Sequence, residues 1–297
     1  MHTALFATVR VYTAVIAIKG KRSMKPRVPL LTILLLTLAH AGCDGAPSDA
    51  DDMKALDAVQ ESAGKTADAS VYSAAISNSA RLEKDFERDA GSKPEEVLQF
   101  FAIQPGMRVL DLFSGGGYYS ELLSYVVGAE GSVVAHNNSA YVGFLGDEIK
   151  QRNVDERLPN VETRLAENNE LRLQPGEFDA ILMILAYHDV YYSNPKDGWP
   201  KIDGPKLLAE LYRGLKPGGV LGIVDHYAEA GAPRETGGTL HRIDPRIVIA
   251  DLTSAGFELE ERSDALRNMD DDYSKIVFDP ELRGKTDRFI LRFRKPE

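Results

Sequence analysis

The chain has a single cysteine, no excess of basic residues and few long apolar runs. Cys43 is the only cysteine among 297 residues, which excludes an intrachain disulfide. Acidic residues outnumber basic ones by 45 to 35, giving a net charge of −10. This argues against non-specific nucleic-acid binding, which requires a basic surface. The hydrophobic fraction of 43% and the charged fraction of 27% are typical of a soluble globular protein. Together these values exclude a polytopic membrane protein, a disordered chain and a small disulfide scaffold.

The N-terminal 42 residues differ in charge from the rest of the chain. They hold six basic residues and no acidic one, which leaves 29 basic against 45 acidic residues elsewhere. Residues 28–42 form an apolar run that is shorter than the about 20 residues needed to span a bilayer. Cys43 follows this run directly. The pattern resembles a bacterial lipoprotein signal, in which that cysteine is lipidated. A plain cleaved signal peptide and an uncleaved anchor are the alternatives.

Three parts of the chain are predicted from these signals. They are a targeting segment (1–42, with a lipoprotein-type signal at 24–42), an acidic flexible tether (43–76) and one domain (77–297). Met24 is a candidate true start, because the signal is complete from that residue onward. The domain is therefore expected to be exported to the periplasmic side of a bacterial membrane and to be held there through Cys43.

Apolar and helical stretches alternate along the predicted domain. Residues 178–186 form a continuous apolar run, as expected for a strand buried on both faces of a parallel sheet. Further strands are predicted at 108–112, 132–136, 161–165, 220–225, 257–261 and 287–294, with helices at 77–90, 94–101, 118–127, 144–152, 204–214 and 245–255. Repeating βα units specify an α/β fold with a doubly wound, mostly parallel sheet sandwiched by helices.

The segment 109–117, VLDLFSGGG, is the strongest local pattern. A strand carries a carboxylate, a glycine loop turns, and a helix follows. Glycine lets backbone N–H groups approach a ligand, and the helix N-terminus adds positive potential. Ligands of such sheets bind outside the carboxyl ends of the strands. We therefore expect a ligand at this loop; a tight turn without a ligand is the alternative.

Two further segments occur in a characteristic order around this loop. The segment 105–111, PGMRVLD, introduces the first strand, and 215–219, LKPGG, precedes an apolar strand that ends at Asp225-His226. Together the three features resemble class I S-adenosylmethionine-dependent methyltransferases over residues 92–261. The resemblance implies a Rossmann-like methyltransferase fold, S-adenosyl-L-methionine as the cofactor and methyl transfer as the activity.

The resemblance assigns cofactor binding to a set of residues at the ends of the first three strands. They are Asp111, Gly115, Gly116, Gly117, Asn137, Glu167 and Asn168. Asn137 falls where the family has an acid that binds the ribose hydroxyls. Since hydrogen bonds to charged groups are the stronger ones, this neutral amide is expected to weaken cofactor binding by about 1 kcal/mol. Glu167 matches the acid that faces the adenine amine, with a surface loop acid as the alternative.

The segments after the fourth and fifth predicted strands face the methyl acceptor in the family. His188 is the first candidate for a general base near neutral pH and Asp225 the second; a hydrogen-bonded structural histidine is the alternative for His188. Further substrate candidates are Tyr187, Asp189, Tyr191, His226 and His241. The carboxylates and imidazoles among these residues are expected to converge at one rim. They also suit a metal, but the chain has no HxxxH or HxH spacing, so no metal ligands are predicted.

Other elements extend the resemblance beyond the cofactor motifs. YHD, VDH, LHRID and GKTDRF resemble elements of a subgroup of exported, predicted methyltransferases. The aromatic stretch 190–204, which contains Tyr192 and Trp199, is predicted to form a lid over the acceptor, with a packed surface loop as the alternative.

The predicted function is S-adenosylmethionine-dependent methyl transfer to an unidentified small-molecule or lipid acceptor by an exported, membrane-anchored enzyme. Such catalysis needs mainly positioning, and a base only if the acceptor carries a proton. The alternative is a lipoprotein of the same fold that binds another small ligand without turnover. The neutral Asn137 favours it, and so does export from the cytoplasm, where the cofactor is made. Metal-assisted hydrolysis at the histidines is a third hypothesis. The sequence does not define the oligomeric state.

Overall fold

The structure, a computed structural model, describes residues 68–146, 148–152 and 156–297. The predicted targeting segment and Cys43 lie outside the described residues, as does most of the predicted tether. Among the helices that are described, none combines the length and the apolar character needed to cross a membrane.

Seven strands of the described chain form one sheet in the order β3-β2-β1-β4-β5-β7-β6. They are β1 (Arg108–Leu112), β2 (Ser132–Asn137), β3 (Val161–Leu165), β4 (Phe178–Ile184), β5 (Leu215–His226), β6 (Glu258–Ser263) and β7 (Arg288–Arg294). The first five strands pair in parallel, and β7 lies antiparallel between β5 and β6. The predicted doubly wound, mostly parallel sheet is confirmed.

Helices cover both faces of this sheet. They are α1 (Ala69–Ile76), α2 (Glu83–Ser92), α3 (Pro94–Phe100), α4 (Tyr118–Val127), α5 (Ser139–Leu145), α6 (Glu148–Arg152), α7 (Gly204–Gly214), α8 (Glu235–Leu240) and α9 (Pro245–Ser254). The single helix predicted at 144–152 is wrong: α5 begins earlier because Asn138 caps it, and it ends at Gly146, whose φ is 61°. Glycine adopts this left-handed conformation without strain.

The central strand β4 shows how the sequence forms two apolar layers. Successive side chains of a strand point to opposite faces, so Ile181 and Leu182 enter different clusters although both are completely buried. Ile181 packs in the cluster that contains Leu211 of α7, and Leu182 in the cluster that contains Leu122 of α4. The continuous apolar run at 178–186 is therefore required by burial on both faces.

The domain begins earlier than the sequence predicted. Tyr72 of α1 is 1% exposed, and its hydroxyl donates a hydrogen bond to the carbonyl of Ile103 over 2.8 Å. The last eight residues of the predicted tether are thus a helix packed on the domain, so the boundary at residue 76 is wrong. The small and polar residues around Tyr72 concealed this anchor in the sequence.

The chain order reverses beside β1, which lies between β2 and β4. The connections after β1 and β4 therefore leave the sheet in opposite directions and open a crevice at the carboxyl ends of the strands. The predicted functional residues lie along this edge.

Candidate active site

The glycine loop after β1 presents an open backbone surface. Gly115 and Gly117 have φ values of 57° and 79°, the left-handed region that favours glycine. A Cβ atom added to Gly115 would meet no atom within 4 Å, so a ligand can approach the loop there. At Gly116 an added Cβ would lie 2.5 Å from a carboxylate oxygen of Glu148, so α6 covers that part of the loop.

Asp111 supports this loop from behind. It is 2% exposed and accepts a hydrogen bond of 2.6 Å from the Ser120 hydroxyl of α4. Burial raises the pKa of Asp111 to about 6, against which the bonds from Ser120 act. The side chain thus links the strand to the helix that follows the loop.

The structure assigns Asn137 a different task from the one predicted. Its Oδ1 accepts from the Gly115 N–H over 3.0 Å, and its Nδ2 donates to Ser114 Oγ and to the Gly115 carbonyl. Both amide protons are used, so Asn137 retains little capacity to bind ribose hydroxyls. An amide can bond an N–H and a carbonyl of the same loop, whereas a carboxylate cannot. Asn137 positions the glycine loop.

His136, one residue earlier, was missed by the sequence analysis. Its Nε2 lies 2.9 Å from the Ala166 carbonyl, which only accepts, so Nε2 carries the proton. Its Nδ1 is then an acceptor, and it is buried without a hydrogen-bond partner in the part of the chain that the structure describes. Burial lowers the pKa of His136 to about 4, which keeps the ring neutral. A polar residue directly before Asn137 at a strand end was the available signal.

A second buried acceptor lies at the end of β3. Asn168 is 4% exposed, and no described residue donates a hydrogen bond to its Oδ1. Glu167 is exposed and accepts from the Ser139 N–H over 3.3 Å. His136 Nδ1 and Asn168 Oδ1 fit a ligand that supplies donors, as ribose hydroxyls and an adenine amine do. The residues present therefore fit S-adenosylmethionine.

Asp225 lies at the end of β5, away from the residues at the ends of β1, β2 and β3, and it binds the polar groups around it. It is completely buried and accepts from His188 Nδ1 over 2.7 Å, from the His188 N–H over 2.8 Å and from the His226 N–H over 2.7 Å. With both oxygens occupied, Asp225 cannot reach an acceptor. This geometry argues against the predicted role of Asp225 as a base, and it positions His188.

His188 is held as a cation at neutral pH. Burial alone would lower its pKa, but Asp225 and Asp189 outweigh this and raise the pKa to about 9. A protonated ring cannot take a proton from an acceptor, so the geometry argues against His188 as a free general base.

Asp189 lies directly beside this ring. Its Oδ2 accepts from Tyr141 OH over 2.5 Å, whereas Oδ1 is buried and has no hydrogen bond from residues 68–146, 148–152 or 156–297. Burial alone would raise the pKa of Asp189, but His188, His241 and Tyr141 outweigh this and lower it. Asp189 is therefore an anion beside His188.

The two remaining histidines flank this pair, so the expected convergence at one rim is present in the structure. The His241 ring lies 5.1 Å from the His188 ring, and the His226 ring 5.9 Å. His226 Nδ1 is bonded to Thr286 Oγ1 over 2.6 Å, and burial holds the pKa of His226 well below its usual range. His226 is thus neutral and already bonded, whereas His241 is partly exposed.

Tyr187 and Tyr191 do not join this group. Their hydroxyls donate to Asp251 of α9, on the other side of the short helical turn that carries His188. Both side chains line a cavity of about 770 Å³ that is bounded by α7 and α9. The substrate candidates are therefore divided between two places, which the sequence could not distinguish.

The aromatic loop after β4 reaches both halves of the edge. Trp199 lies 5.3 Å from the Tyr141 ring and 5.5 Å from the Tyr192 ring. Tyr192 in turn lies 5.1 Å from the His241 ring. The loop therefore packs against residues at the carboxyl edge of the sheet, and its role as a lid over the acceptor stays a prediction.

Known proteins resemble the central part of this chain. Residues 110–223 match the family described as "Methyltransferase domain". A ubiquinone/menaquinone biosynthesis C-methyltransferase of Idiomarina loihiensis is 32% identical over 124 residues, 41% of this chain and 44% of that protein. A 2-phytyl-1,4-naphtoquinone methyltransferase of Synechococcus elongatus is 31% identical over 130 residues, 43% of this chain and 50% of that protein. The chain thus spans about half the length of these curated relatives.

A solved structure resembles a larger part of the chain. The crystal structure of a SAM dependent methyltransferase from Aquifex aeolicus shows 26% identity and a TM-score of 0.49, and the match covers 71% of this chain and 97% of that one. The family match implies S-adenosylmethionine as the cofactor. Residues 110–223 thus resemble a methyltransferase domain, and the predicted resemblance of the chain to class I S-adenosylmethionine-dependent methyltransferases is confirmed.

Proposed function

We propose that this protein transfers a methyl group from S-adenosylmethionine to a small, largely apolar acceptor. One observation carries the proposal. An open glycine loop lies at the carboxyl edge of the sheet, where two buried acceptor atoms, His136 Nδ1 and Asn168 Oδ1, have no hydrogen-bond partner among the described residues. An unsatisfied buried acceptor destabilises the fold by about 1–3 kcal/mol, so a ligand that donates to both atoms gains that free energy on binding.

The cofactor supplies an activated methyl group, and the chain supplies its position. Asn137 holds the glycine loop in shape, and Asp111 ties that loop to α4. His136 Nδ1 and Asn168 Oδ1 would accept from the nucleoside part, with Glu167 at its exposed edge. These contacts orient the ligand without requiring any of these residues to exchange a proton.

The acceptor is proposed to be a small molecule or lipid with an aromatic ring. The aromatic side chains of Tyr192 and Trp199 beside His241 offer a surface on which a flat ring can stack. The relatives named above are quinone methyltransferases, which makes a quinone-type ring the first acceptor to test. The net charge of −10 disfavours nucleic acid.

Calorimetric titration with S-adenosylmethionine tests the cofactor site. We expect saturable binding to the purified chain and an affinity about 5–10-fold lower for Asn168→Leu, equivalent to about 1–1.4 kcal/mol for one lost hydrogen bond. Asn78→Leu, on the loop between α1 and α2, is the matched control and should bind as the unaltered chain does. Absence of saturable binding to the unaltered chain would overturn the proposal.

Methyl transfer is tested with methyl-labelled S-adenosylmethionine and a panel of hydroxylated aromatic and quinone-type acceptors. Label recovered in the organic phase, and reduced about 5–10-fold with Asn168→Leu at low cofactor concentration, supports the enzyme. Cofactor binding without transfer to any acceptor, together with a different small ligand that copurifies with the chain, favours the alternative of a non-catalytic binding lipoprotein.

We also propose that the domain is exported and lipid-anchored at Cys43. The support is the basic, apolar segment before this cysteine and the acidic residues after it. Cys43→Ser should release the protein from the membrane fraction, whereas a chain that stays membrane-bound after this substitution would contradict the anchor. Ser48, a short distance further along the chain, gives the control Ser48→Ala.

A further inference from the structure

We propose that His188, Asp189 and His241 bind one divalent transition-metal ion. Their ligand atoms, His188 Nε2, one oxygen of Asp189 and His241 Nδ1, come within 4.8 Å of one another. Asp189 Oδ1 lies 3.4 Å from each of the two ring nitrogens. Two ligand atoms held about 2.1 Å from a tetrahedral metal stand about 3.4 Å apart, so the spacing suits an ion between them.

Asp189 Oδ1 is the observation that requires a partner. The residue is 8% exposed, and this oxygen is buried without a hydrogen bond from any residue that the structure describes, while Oδ2 is fixed by Tyr141. Buried carboxylate oxygens normally have a donor or a cation, because leaving one unpaired is strongly unfavourable. The His188 ring lies 3.4 Å from this oxygen without a hydrogen bond, and a divalent ion that displaces the ring proton would bind both groups directly.

Asp225 prepares His188 for the same task. It binds Nδ1 over 2.7 Å, which directs the opposite nitrogen, Nε2, towards Asp189 Oδ1. A carboxylate that fixes the far nitrogen of a ligating histidine is the usual support of a metal site, since it sets the orientation of the ring and makes the ligating nitrogen more basic. Asp225 is thus a positioning residue for the proposed ligand His188.

Two glycines bring His241 to the site across 53 residues of sequence. A Cβ atom at Gly237 would lie 2.7 Å from the His188 carbonyl oxygen, and one at Gly238 would lie 2.9 Å from the Tyr191 carbonyl oxygen. Helix α8 can therefore pack directly on the turn that carries His188. His241 follows this helix with a φ of 54°, a left-handed conformation that is unusual for a non-glycine residue.

The partial exposure of His241 leaves room for other ligands of the ion. Its side chain is 16% exposed and lies beside the rings of Tyr192 and Phe278. Two imidazoles and one carboxylate suit zinc, iron or related divalent ions, and such a set leaves coordination positions open. An oxygen of the acceptor can occupy an open position, where the ion lowers the pKa of a bound hydroxyl. This last role rests on the proposed function, whereas metal binding itself does not.

Metal binding is measured on the full chain after chelator treatment, without S-adenosylmethionine. We expect one equivalent of Zn²⁺ to compete with a chromophoric chelator, and Co²⁺ to give visible absorption bands typical of nitrogen and oxygen ligation. His241→Ala and Asp189→Asn should weaken binding by about 100-fold or more, since loss of a supporting residue alone weakens metal sites by about 10–100-fold. Asp225→Asn should fall within that smaller range.

His226→Gln is the matched control, because this histidine lies nearby but its Nδ1 is bonded to Thr286. It should retain the Co²⁺ spectrum. Circular dichroism identifies any variant that fails to fold, and the partly exposed His241→Ala keeps the test decisive if Asp189→Asn does not fold.

Three outcomes would overturn the metal site: no stoichiometric binding to the unaltered chain, binding that His241→Ala leaves unchanged, or a Co²⁺ spectrum lost only with His226→Gln. In each case a proton on His188 is the partner of Asp189. Methyl transfer that proceeds undiminished by a chelator, in a chain that binds no metal, would remove this inference and leave the proposed function intact.

Discussion

The two halves of the sheet's carboxyl edge differ in how their buried polar atoms are satisfied. At the ends of β2 and β3, His136 Nδ1 and Asn168 Oδ1 have no hydrogen-bond partner within the described part of the chain. At the end of β5, Asp225 accepts three hydrogen bonds from the protein. The first half gains free energy only when a ligand donates to it, whereas the second half gains its free energy on folding. The proposed cofactor site thus differs from the folded framework around Asp225 in its unsatisfied atoms.

Asp189 is the exception that relates the two halves. It lies in the half organised by Asp225, yet its Oδ1 lacks a partner as the acceptors of the other half do. Its neighbours are ring nitrogens and its charge is negative, so a cation is the partner it suits. The half at the ends of β2 and β3 presents neutral acceptors, so it suits a ligand that supplies hydrogen-bond donors.

The largest expected effect tests the claim that Asp225 belongs to the folded framework. Asp225→Asn should lower the free energy of unfolding by about 3–5 kcal/mol, because the amide places an N–H against donors in a buried, charged network. Urea unfolding measures this. Asp197→Asn, at an exposed position of the aromatic loop, should change stability by no more than about 0.5 kcal/mol. If Asp225→Asn lowered the free energy of unfolding by less than about 1 kcal/mol, Asp225 would not belong to the folded framework, and the two halves of the edge would not differ in this respect.

The next effect is a pH dependence of the free energy of unfolding, and it concerns His136 at the end of β2. The pKa of His136 is about 4 in the folded chain, against about 6.5 when unfolded. Between these values the unfolded chain binds the proton, so stability falls as the pH falls from 6.5 towards 4. At pH 4.5 this loss should be about 2–3 kcal/mol. Urea unfolding at pH 7 and pH 4.5 should show a smaller difference for His136→Gln; equal differences would show that His136 is not held neutral.

A smaller effect separates ligand binding from stability at Asn168. Asn168→Leu removes an unsatisfied acceptor, so the ligand-free chain should unfold at the same or a higher urea concentration, with a gain of up to about 1 kcal/mol. The same variant is expected to bind S-adenosylmethionine more weakly. If Asn168→Leu lowered both the free energy of unfolding and the affinity for S-adenosylmethionine, Asn168 would be a structural residue. The contrast between unsatisfied acceptors at β2 and β3 and the satisfied carboxylate at β5 would then not hold.

The smallest effect is expected outside both halves, at Tyr187. Asp251 also accepts from Tyr191 and from Arg234, so Tyr187→Phe should lower the free energy of unfolding by only about 0.5–1 kcal/mol. Its affinity for S-adenosylmethionine and for Zn²⁺ should remain within about twofold of the unaltered chain, a difference of about 0.4 kcal/mol. A larger change in either affinity would show that the cavity lined by Tyr187 is coupled to the proposed cofactor or metal site.

Periodicity was sufficient for most of the fold. The boundaries of β1, β3, α4 and α7 agree with the predicted 108–112, 161–165, 118–127 and 204–214. Burial on both faces, glycine turns and capping residues are local properties, so the sequence displays them. The region at 139–152 was mispredicted because a single glycine divides the helix there.

The sequence predicted only part of the candidate site, and there is a physical reason why the rest could not be predicted. The sequence by itself determined that a glycine loop follows β1 and that polar residues follow β2, β4 and β5, because strand ends and loops are set by near neighbours along the chain. Only the tertiary structure decided that His136 rather than Asn137 retains a free acceptor, that Asp225 is fully occupied and that His241 meets Asp189. Hydrogen-bond capacity is shared among residues distant in sequence, and that sharing is fixed only when helices and strands pack.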